Sequence, residues 1–267
     1  MRIRRLFLLV LAAAVPFLAS AQITTNNLDP EFGARIGATV DKKIVRGLHV
    51  SVSGEGRLTD NFSSFSRVDA GLGLSYKIND NFRVGGGYTL IERLSSSDAW
   101  KTRHRIYTEA TGTLNAGYWR FSLRERLQLT HKDVKAYKHQ TTPNSLALKS
   151  RLKVQYRGLA GGLTPYCCVE VRNVFNDPAC SAIWSTASRA FSDYTFTGYT
   201  DAYINRVRGS LGAEWKIDSH NAFDFYLLAD WFHDKNVDTG KNGTVLKSIS
   251  YDRGFRGALY IGYEFSF

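Results

Sequence analysis

This 267-residue chain is poor in the features that usually give a function away. Cysteine is scarce: Cys167, Cys168 and Cys180 make an odd set, which excludes a complete disulfide framework. Cys167 and Cys168 are neighbours on an expected strand, so their side chains point to opposite faces and read as small packing residues. Cys180 falls in an expected loop; a free thiol and a bond to one of the pair both stay open there. No glycine-rich phosphate loop, CxxC pair, nucleic-acid module or serine motif of the barrel phospholipases is found. Acidic residues are the minority, 24 Asp and Glu against 35 Lys and Arg, for a net charge of +11. Such an excess raises the question of nucleic acid or anionic membranes.

Long apolar runs are also lacking after the first twenty residues, which excludes a bundle of membrane-spanning helices. The exception is the start. Arg2, Arg4 and Arg5 precede an apolar run from Leu6 to Leu18, and Ala19-Ser20-Ala21 sets small residues where signal peptidase cuts. Residues 1–21 are therefore expected to be a cleaved signal peptide, with residues 22–267 a single exported domain. No cysteine follows the cut, against a lipoprotein. An exported chain does not normally meet nucleic acid, so the basic excess must be explained by its position on the fold.

What the mature chain has is period-two alternation. Val68, Ala70, Leu72, Leu74, Tyr76 and Ile78 alternate with Asp69, Gly71, Gly73, Ser75 and Lys77. Leu48, Val50, Val52 and Leu58 repeat the scheme. Strict alternation marks strands with one apolar and one polar face. Strands are expected near 31–40, 45–58, 66–78, 82–93, 102–114, 118–131, 146–157, 163–175, 202–217, 222–234 and 255–267. Most have the length that crosses a membrane at barrel tilt. Short turns (41–43, 79–80, 115–117, 158–162, 218–221) alternate with long loops (59–65, 94–101, 132–145, 176–201, 235–254), the asymmetry of an outer-membrane barrel. Tyr76, Phe82, Tyr118, Trp119, Tyr156, Trp215 and Phe223 flank the short turns and fit an interfacial girdle. Bacterial single-chain barrels have even strand counts. Eleven segments therefore imply either a twelfth short strand within Gln22–Pro30 or only ten, if Glu31–Val40 is not a full strand. The expectation is an all-β, antiparallel transmembrane barrel of 10–12 strands, with twelve preferred.

The polar phase is heavily charged. Arg57, Arg67, Arg83, Arg103, Arg105, Arg120, Arg124, Arg126, Arg151, Lys153, Arg172, Arg206, Arg208 and Arg256 are expected to face the lumen. So are Glu55, Asp69, Glu109, Glu170, Glu214, Asp224, Asp230 and Glu264. A Lys or Arg facing lipid at the midplane would cost about 2–4 kcal/mol, which places these residues inside. Glu125 is an exception, sharing its phase with Trp119, Phe121, Leu123, Leu127 and Leu129; a bulge or a register shift would account for it.

Two resemblances sharpen this picture. Leu259, Ile261, Tyr263, Phe265 and Phe267 alternate to the terminal phenylalanine, which resembles the sorting signal of Gram-negative outer-membrane barrels, with Tyr263, Phe265 and Phe267 as its aromatic positions. The segments DNFSSFSRVDAGLGLSYKINDNFRVGGGYTLI, RHRIYTEATGTLNAGYWRFSLRERLQLTHK, SLALKSRLKVQYR and TPYCCVEVRN occur in that order. Together they resemble a family of uncharacterised Gram-negative outer-membrane β-barrel proteins, a domain of unknown function. The resemblance implies a barrel in the cell outer membrane and carries over no catalytic residue.

Three functions follow as alternatives. The basic surplus suggests a small anion-preferring pore. Arg–carboxylate pairs filling a narrow lumen would instead make a structural or surface-binding outer-membrane protein. A lipid-modifying enzyme or protease would need a base near the rim, where His131 and His139 flank a loop holding Asp133. Their spacing matches no known metal-ligand pattern. No cofactor, metal or nucleic acid is expected. Expected partners are outer-membrane lipid and lipopolysaccharide, the barrel-assembly machinery during biogenesis, and small anionic solutes. The loop 176–201 is the most hydrophobic, with Ile183, Trp184, Phe191, Tyr194 and Phe196; a plug, a surface contact and packing on its own rim all remain open for it.

Overall fold

The computed structural model describes residues 24–95 and 99–267. The expected signal peptide, residues 1–21, lies outside the described residues. The alternating segments form twelve strands: β1 (Thr24–Asn27), β2 (Glu31–Val45), β3 (Leu48–Thr59), β4 (Ser64–Lys77), β5 (Phe82–Leu94), β6 (Trp100–Ala116), β7 (Trp119–Lys132), β8 (Asn144–Tyr156), β9 (Leu163–Ser185), β10 (Ala190–Lys216), β11 (Asn221–Thr239) and β12 (Leu246–Ser266). From β2 to β12 each strand pairs antiparallel with the next.

Closure departs from the even-count expectation. β12 pairs with β2 in parallel, from Arg256↔Glu31 to Ser266↔Asp41, so eleven strands close the barrel. The expected short strand in Gln22–Pro30 exists as β1, but it does not separate the two. It runs along β12 on the same parallel track, Thr24↔Ser250 to Asn27↔Arg253, one step before β2 takes over. Both β2 and β12 run toward the short turns, so they can close only in parallel. Phe267 N–H donates to Asp41 O at 3.0 Å and Lys43 N–H to Phe267 O at 2.9 Å, sealing the joint. Parallel pairing is slightly weaker per residue, but a closed ladder leaves no edge. The turn expected at 41–43 lies later, at Arg46 and Gly47. Gly47 takes φ +83°, and an added Cβ would come within 2.9 Å of Lys77 O.

The polarity is inside-out. Leu72, Leu74, Ile106 and Leu123 stand exposed on the outer wall, with Leu211 at 66% and Leu227 at 63%. The inner wall carries the charged phase and several tyrosines seated over glycines. Tyr260 covers Gly37, where an added Cβ would meet its hydroxyl at 2.6 Å. Aromatics ring the turn end: Trp119 contacts Tyr156 at 5.0 Å, and Phe223 contacts Tyr263 at 5.2 Å. Phe65 with Trp100 (6.1 Å) and Phe32 with Phe255 (6.3 Å) lie toward the opposite end.

The expected loop 176–201 is not irregular. It is a hairpin that prolongs β9 and β10, and β11 and β12 are prolonged beside it. Val237, Leu246 and Ile249 form a small core against Cys180, Ala182, Phe191, Tyr194 and Tyr251. The segment after β7 straps over this cap. His139 stacks on Phe196 at 4.0 Å, Thr141 Oγ1 accepts from Val237 N–H at 2.9 Å, and Thr239 Oγ1 donates to Lys138 O at 2.7 Å. The loop's apolar residues thus pack largely on its own rim.

Candidate functional site

Register places the charges in rows. Directly opposed residues on adjacent strands have Cβ atoms about 4.5–5.5 Å apart. Across β2–β5 the partners are Arg35↔Arg57, Arg57↔Arg67 and Arg67↔Arg93: four arginines side by side over about 14 Å. Across β7–β10 they are Arg126↔Lys149, Lys149↔Arg172 and Arg172↔Arg206. Five strand positions separate these rows in a barrel of eleven, so they occupy opposite walls. A third row alternates in sign: Arg151↔Glu170, Glu170↔Arg208, Arg208↔Asp230, Asp230↔Arg256 and Arg256↔Glu31. Like charges directly opposed destabilise a sheet and opposite charges stabilise it.

Carboxylates partly relieve the like-charge rows. Asp69 takes Arg67 at 2.6 Å and Arg57 at 3.3 Å, and Glu55 takes Arg57 at 2.5 Å. Glu109 takes Arg126 at 2.5 Å. Glu170 is a hub, 3.2 Å from Arg124, 3.4 Å from Arg208 and 3.9 Å from Lys149. Asp230 holds Arg208 at 3.1 Å and Arg206 at 3.5 Å. Six basic residues of the loop-side lumen have no carboxylate within ion-pair distance among the described residues: Arg35, Arg93, Arg103, Arg105, Lys132 and Arg172. Arg105 and Arg172 donate instead to Thr130 (3.3 Å) and Ser145 (3.4 Å).

All six line one cavity of about 730 Å³ in the loop-side half of the barrel. It is also lined by Arg57, Arg67, Lys149, Arg206, Arg208, Lys235 and Arg256, against five carboxylates: Glu31, Asp177, Asp230, Asp234 and Asp252. Each of the five already has a donor. Arg256 serves Glu31 at 3.0 Å, Tyr203 serves Asp177 at 2.7 Å, and Arg208 serves Asp230. Asn205 serves Asp234 at 2.7 Å, and Asn26 serves Asp252 at 2.8 Å. At the cavity rim burial lowers the Lys235 ammonium pKa, but the Asp201 carboxylate at 2.5 Å outweighs it and raises the value overall. Burial lifts the Asp177 carboxyl above its ordinary range, opposed by the Tyr203 hydroxyl and Lys235.

The turn-side half carries a side-chain web of its own. Lys153 reaches Glu214 at 2.5 Å and lies 3.7 Å over the Tyr166 ring. Tyr166 donates to Asp224 at 2.7 Å, and Tyr226 stacks on Tyr260 at 4.3 Å. None of these residues lines the cavity.

Of the residues singled out from sequence, Arg57, Arg67, Arg103, Arg105, Arg172, Arg206, Arg208, Arg256 and Asp230 line the cavity. Glu55, Asp69, Glu109, Arg124, Arg126, Lys153, Glu170 and Glu214 form the ion-pair web. Arg83 lies exposed at the turn end, Arg120 keeps a buried Nε without a partner there, and Arg151 opposes Arg124 and Glu170. Tyr263 and Phe265 sit on β12 at the turn end, where Tyr263 donates to Asn221 at 2.5 Å. Phe267 follows them, 5.6 Å from the Phe265 ring. Arg35, Arg93, Lys132 and Lys149 were missed. Lys149 shares its phase with Arg151 and Lys153, so alternation alone could have found it.

The other candidates disperse. His131 meets Asn144 at 2.7 Å, and the ring nitrogen of His139 meets Gly243 O at 2.8 Å; neither touches a carboxylate among the described residues. Cys180 lies on β9 twelve residues beyond Cys168, about 40 Å along an extended strand, so a bond between them is excluded by geometry. Glu125 needs no bulge: the β6–β7–β8 register is unbroken. It lies on the outer wall between Ala110 and Ser150 and accepts from Ser150 Oγ at 2.6 Å.

A family model described as "Protein of unknown function (DUF2490)" matches residues 33–241, and the chain belongs to that family. Comparison with curated proteins finds no match.

Proposed function

We propose that this DUF2490 member is a Gram-negative outer-membrane barrel that takes small anions into a basic lumen and passes them, slowly, through a narrow turn-side constriction. The two like-charge rows, all of whose members but Arg126 line one cavity, carry this reading. The inside-out polarity supports the membrane part, because a predominantly apolar outer wall needs lipid as its solvent. The aromatics at both ends suit headgroup level. On this reading the loop side faces outward among lipopolysaccharide, the short turns face the periplasm, and the barrel-assembly machinery inserts the chain.

A second reading has an observation of its own. The web of Lys153, Glu214, Tyr166 and Asp224 favours a closed lumen, which would make the protein a structural or surface-binding barrel. One experiment separates the two. The mature chain, refolded in detergent and inserted in a planar bilayer, is placed under a salt gradient. Small discrete steps with an anion-side reversal potential are expected. A cation-side reversal potential overturns the anion reading, and a verified folded barrel that stays silent assigns the closed lumen.

A further inference from the structure

The lining of the loop-side cavity is specific enough to name a ligand class. We infer that this basin is a binding site for a compact, multiply charged oxyanion, a molecule carrying several phosphate or sulfate groups. The inference rests on the anion-accepting reading above and adds the ligand and its residues.

Three features argue for it. The first is charge that makes no contact ion pair within the barrel. Arg35, Arg93, Arg103, Arg105, Lys132 and Arg172 have no carboxylate within ion-pair distance among the described residues, and all face one cavity. Arg103 and Lys132 are directly opposed, as are Lys149 and Arg172. A singly charged ion would answer one of these cations; a chain of phosphates answers several. Guanidinium forks suit the work, because two parallel N–H groups match two oxygens of one phosphate or sulfate.

The second is donor capacity. Arg172 Nε, Arg206 Nε and Arg208 Nε are buried without a hydrogen-bond partner at the cavity wall, where the oxygens of Gln128, Asn205 and Asp230 are likewise unpartnered. Buried donors in a folded protein are nearly always satisfied, so these mark where acceptor oxygens belong. Thr130, Ser145, Ser66 and Thr142 add hydroxyls to the same lining. Each lining carboxylate has at least one donor of its own, although Asp230 Oδ1 is buried without one.

The third is shape. About 730 Å³ is the size of a small-molecule site. The turn-side web of Lys153, Glu214, Tyr166 and Asp224 narrows the lumen beyond it, which favours a compact solute over an extended polymer. The wall of the barrel separates the basin from lipid, which selects a free solute over a lipid headgroup.

The test uses the full mature chain folded in detergent, with tripolyphosphate as probe and orthophosphate as reference, by isothermal titration. Tripolyphosphate is expected to bind at least tenfold tighter than orthophosphate. Arg93→Gln/Arg103→Gln should weaken it at least tenfold, as should Arg172→Gln alone, whereas Arg157→Gln, at the turn end, should leave it unchanged. Folding of each variant is checked by heat-modifiable gel mobility. Should the double variant not fold, Arg172→Gln and the wild-type ratio of the two probes still decide. Tripolyphosphate no tighter than orthophosphate, or tight binding indifferent to all these substitutions, overturns the inference. The two levels fail separately: an anion-side reversal potential with no preference for tripolyphosphate sinks this site and leaves the proposed function standing, whereas a cation-side reversal potential sinks the proposed function itself.

Discussion

The alternating row and the like-charge rows are built from the same residue types, yet they solve opposite problems. From Arg151 through Glu170, Arg208, Asp230 and Arg256 to Glu31, most charges find their answer on the next strand. That row is largely paired within itself. In Arg35–Arg57–Arg67–Arg93 and Arg126–Lys149–Arg172–Arg206 every neighbour repels, and carboxylates outside the rows relieve only some members. Arrangements that oppose folding persist where function needs them. The self-satisfied row therefore reads as scaffold, and the unsatisfied rows read as site.

Substitutions can break this contrast at several strengths. The largest effect is expected for Glu170→Gln. Its carboxylate, 9% exposed, is shared by Arg124, Arg208 and Lys149, and removing the charge leaves buried cations unanswered. A loss of about 3 kcal/mol should appear in denaturant unfolding of the folded barrel. Next comes Leu227→Arg on the outer wall. In lipid it should cost about 2–4 kcal/mol, whereas a water-facing wall would tolerate it with little change in midpoint. Arg172→Gln should act in the opposite direction to Glu170→Gln although it lies two residues away on β9. Relieving two like-charge contacts should stabilise the barrel by about 0.2–1 kcal/mol while anion binding weakens.

The smallest effect belongs to a group outside both rows. Asp218, in the β10–β11 turn, accepts from the backbone N–H groups of His220 and Asn221, each at 2.7 Å, which holds its carboxyl below the ordinary value. A depressed acid contributes stability that is present above its unfolded pKa, about 3.9, and is lost as pH falls through the lower folded value. Asp218→Asn should therefore lower stability slightly at neutral pH, flatten the acid limb, and converge with the wild type below the folded pKa. A change at neutral pH as large as that of Glu170→Gln would erase the distinction between interior and turn.

Much of this was legible in the chain. Alternation in Val68–Ile78 and Leu48–Leu58 found the strands and their faces, because one face meets charge and the other meets apolar surroundings. The closure was not legible. Parity came from a general rule for bacterial barrels, and nothing in Thr24–Val45 reveals that two strands lie parallel to β12. The long hairpins were missed because 176–201 and 235–254 mix polar and apolar residues without a clean period; their strands pair with each other above the barrel around a small apolar core of Val237, Leu246 and Ile249. The site was legible by phase and illegible by register. Arg57 and Arg67 were both assigned inward, but only the turn geometry sets them opposite each other and beside Arg93. Whether a row alternates or repeats is fixed by single-residue offsets between strands, which composition does not encode.

The most direct test compares unfolding midpoints of the wild-type barrel and Arg93→Gln/Arg172→Gln in low-salt buffer, then with increasing phosphate. If the rows are unsatisfied, the variant is the more stable protein at low salt. Added phosphate should then stabilise the wild type preferentially, through binding to the folded state, until the gap closes. A variant that is less stable from the start, with a gap indifferent to phosphate, would contradict the claim and make the like-charge rows part of the scaffold.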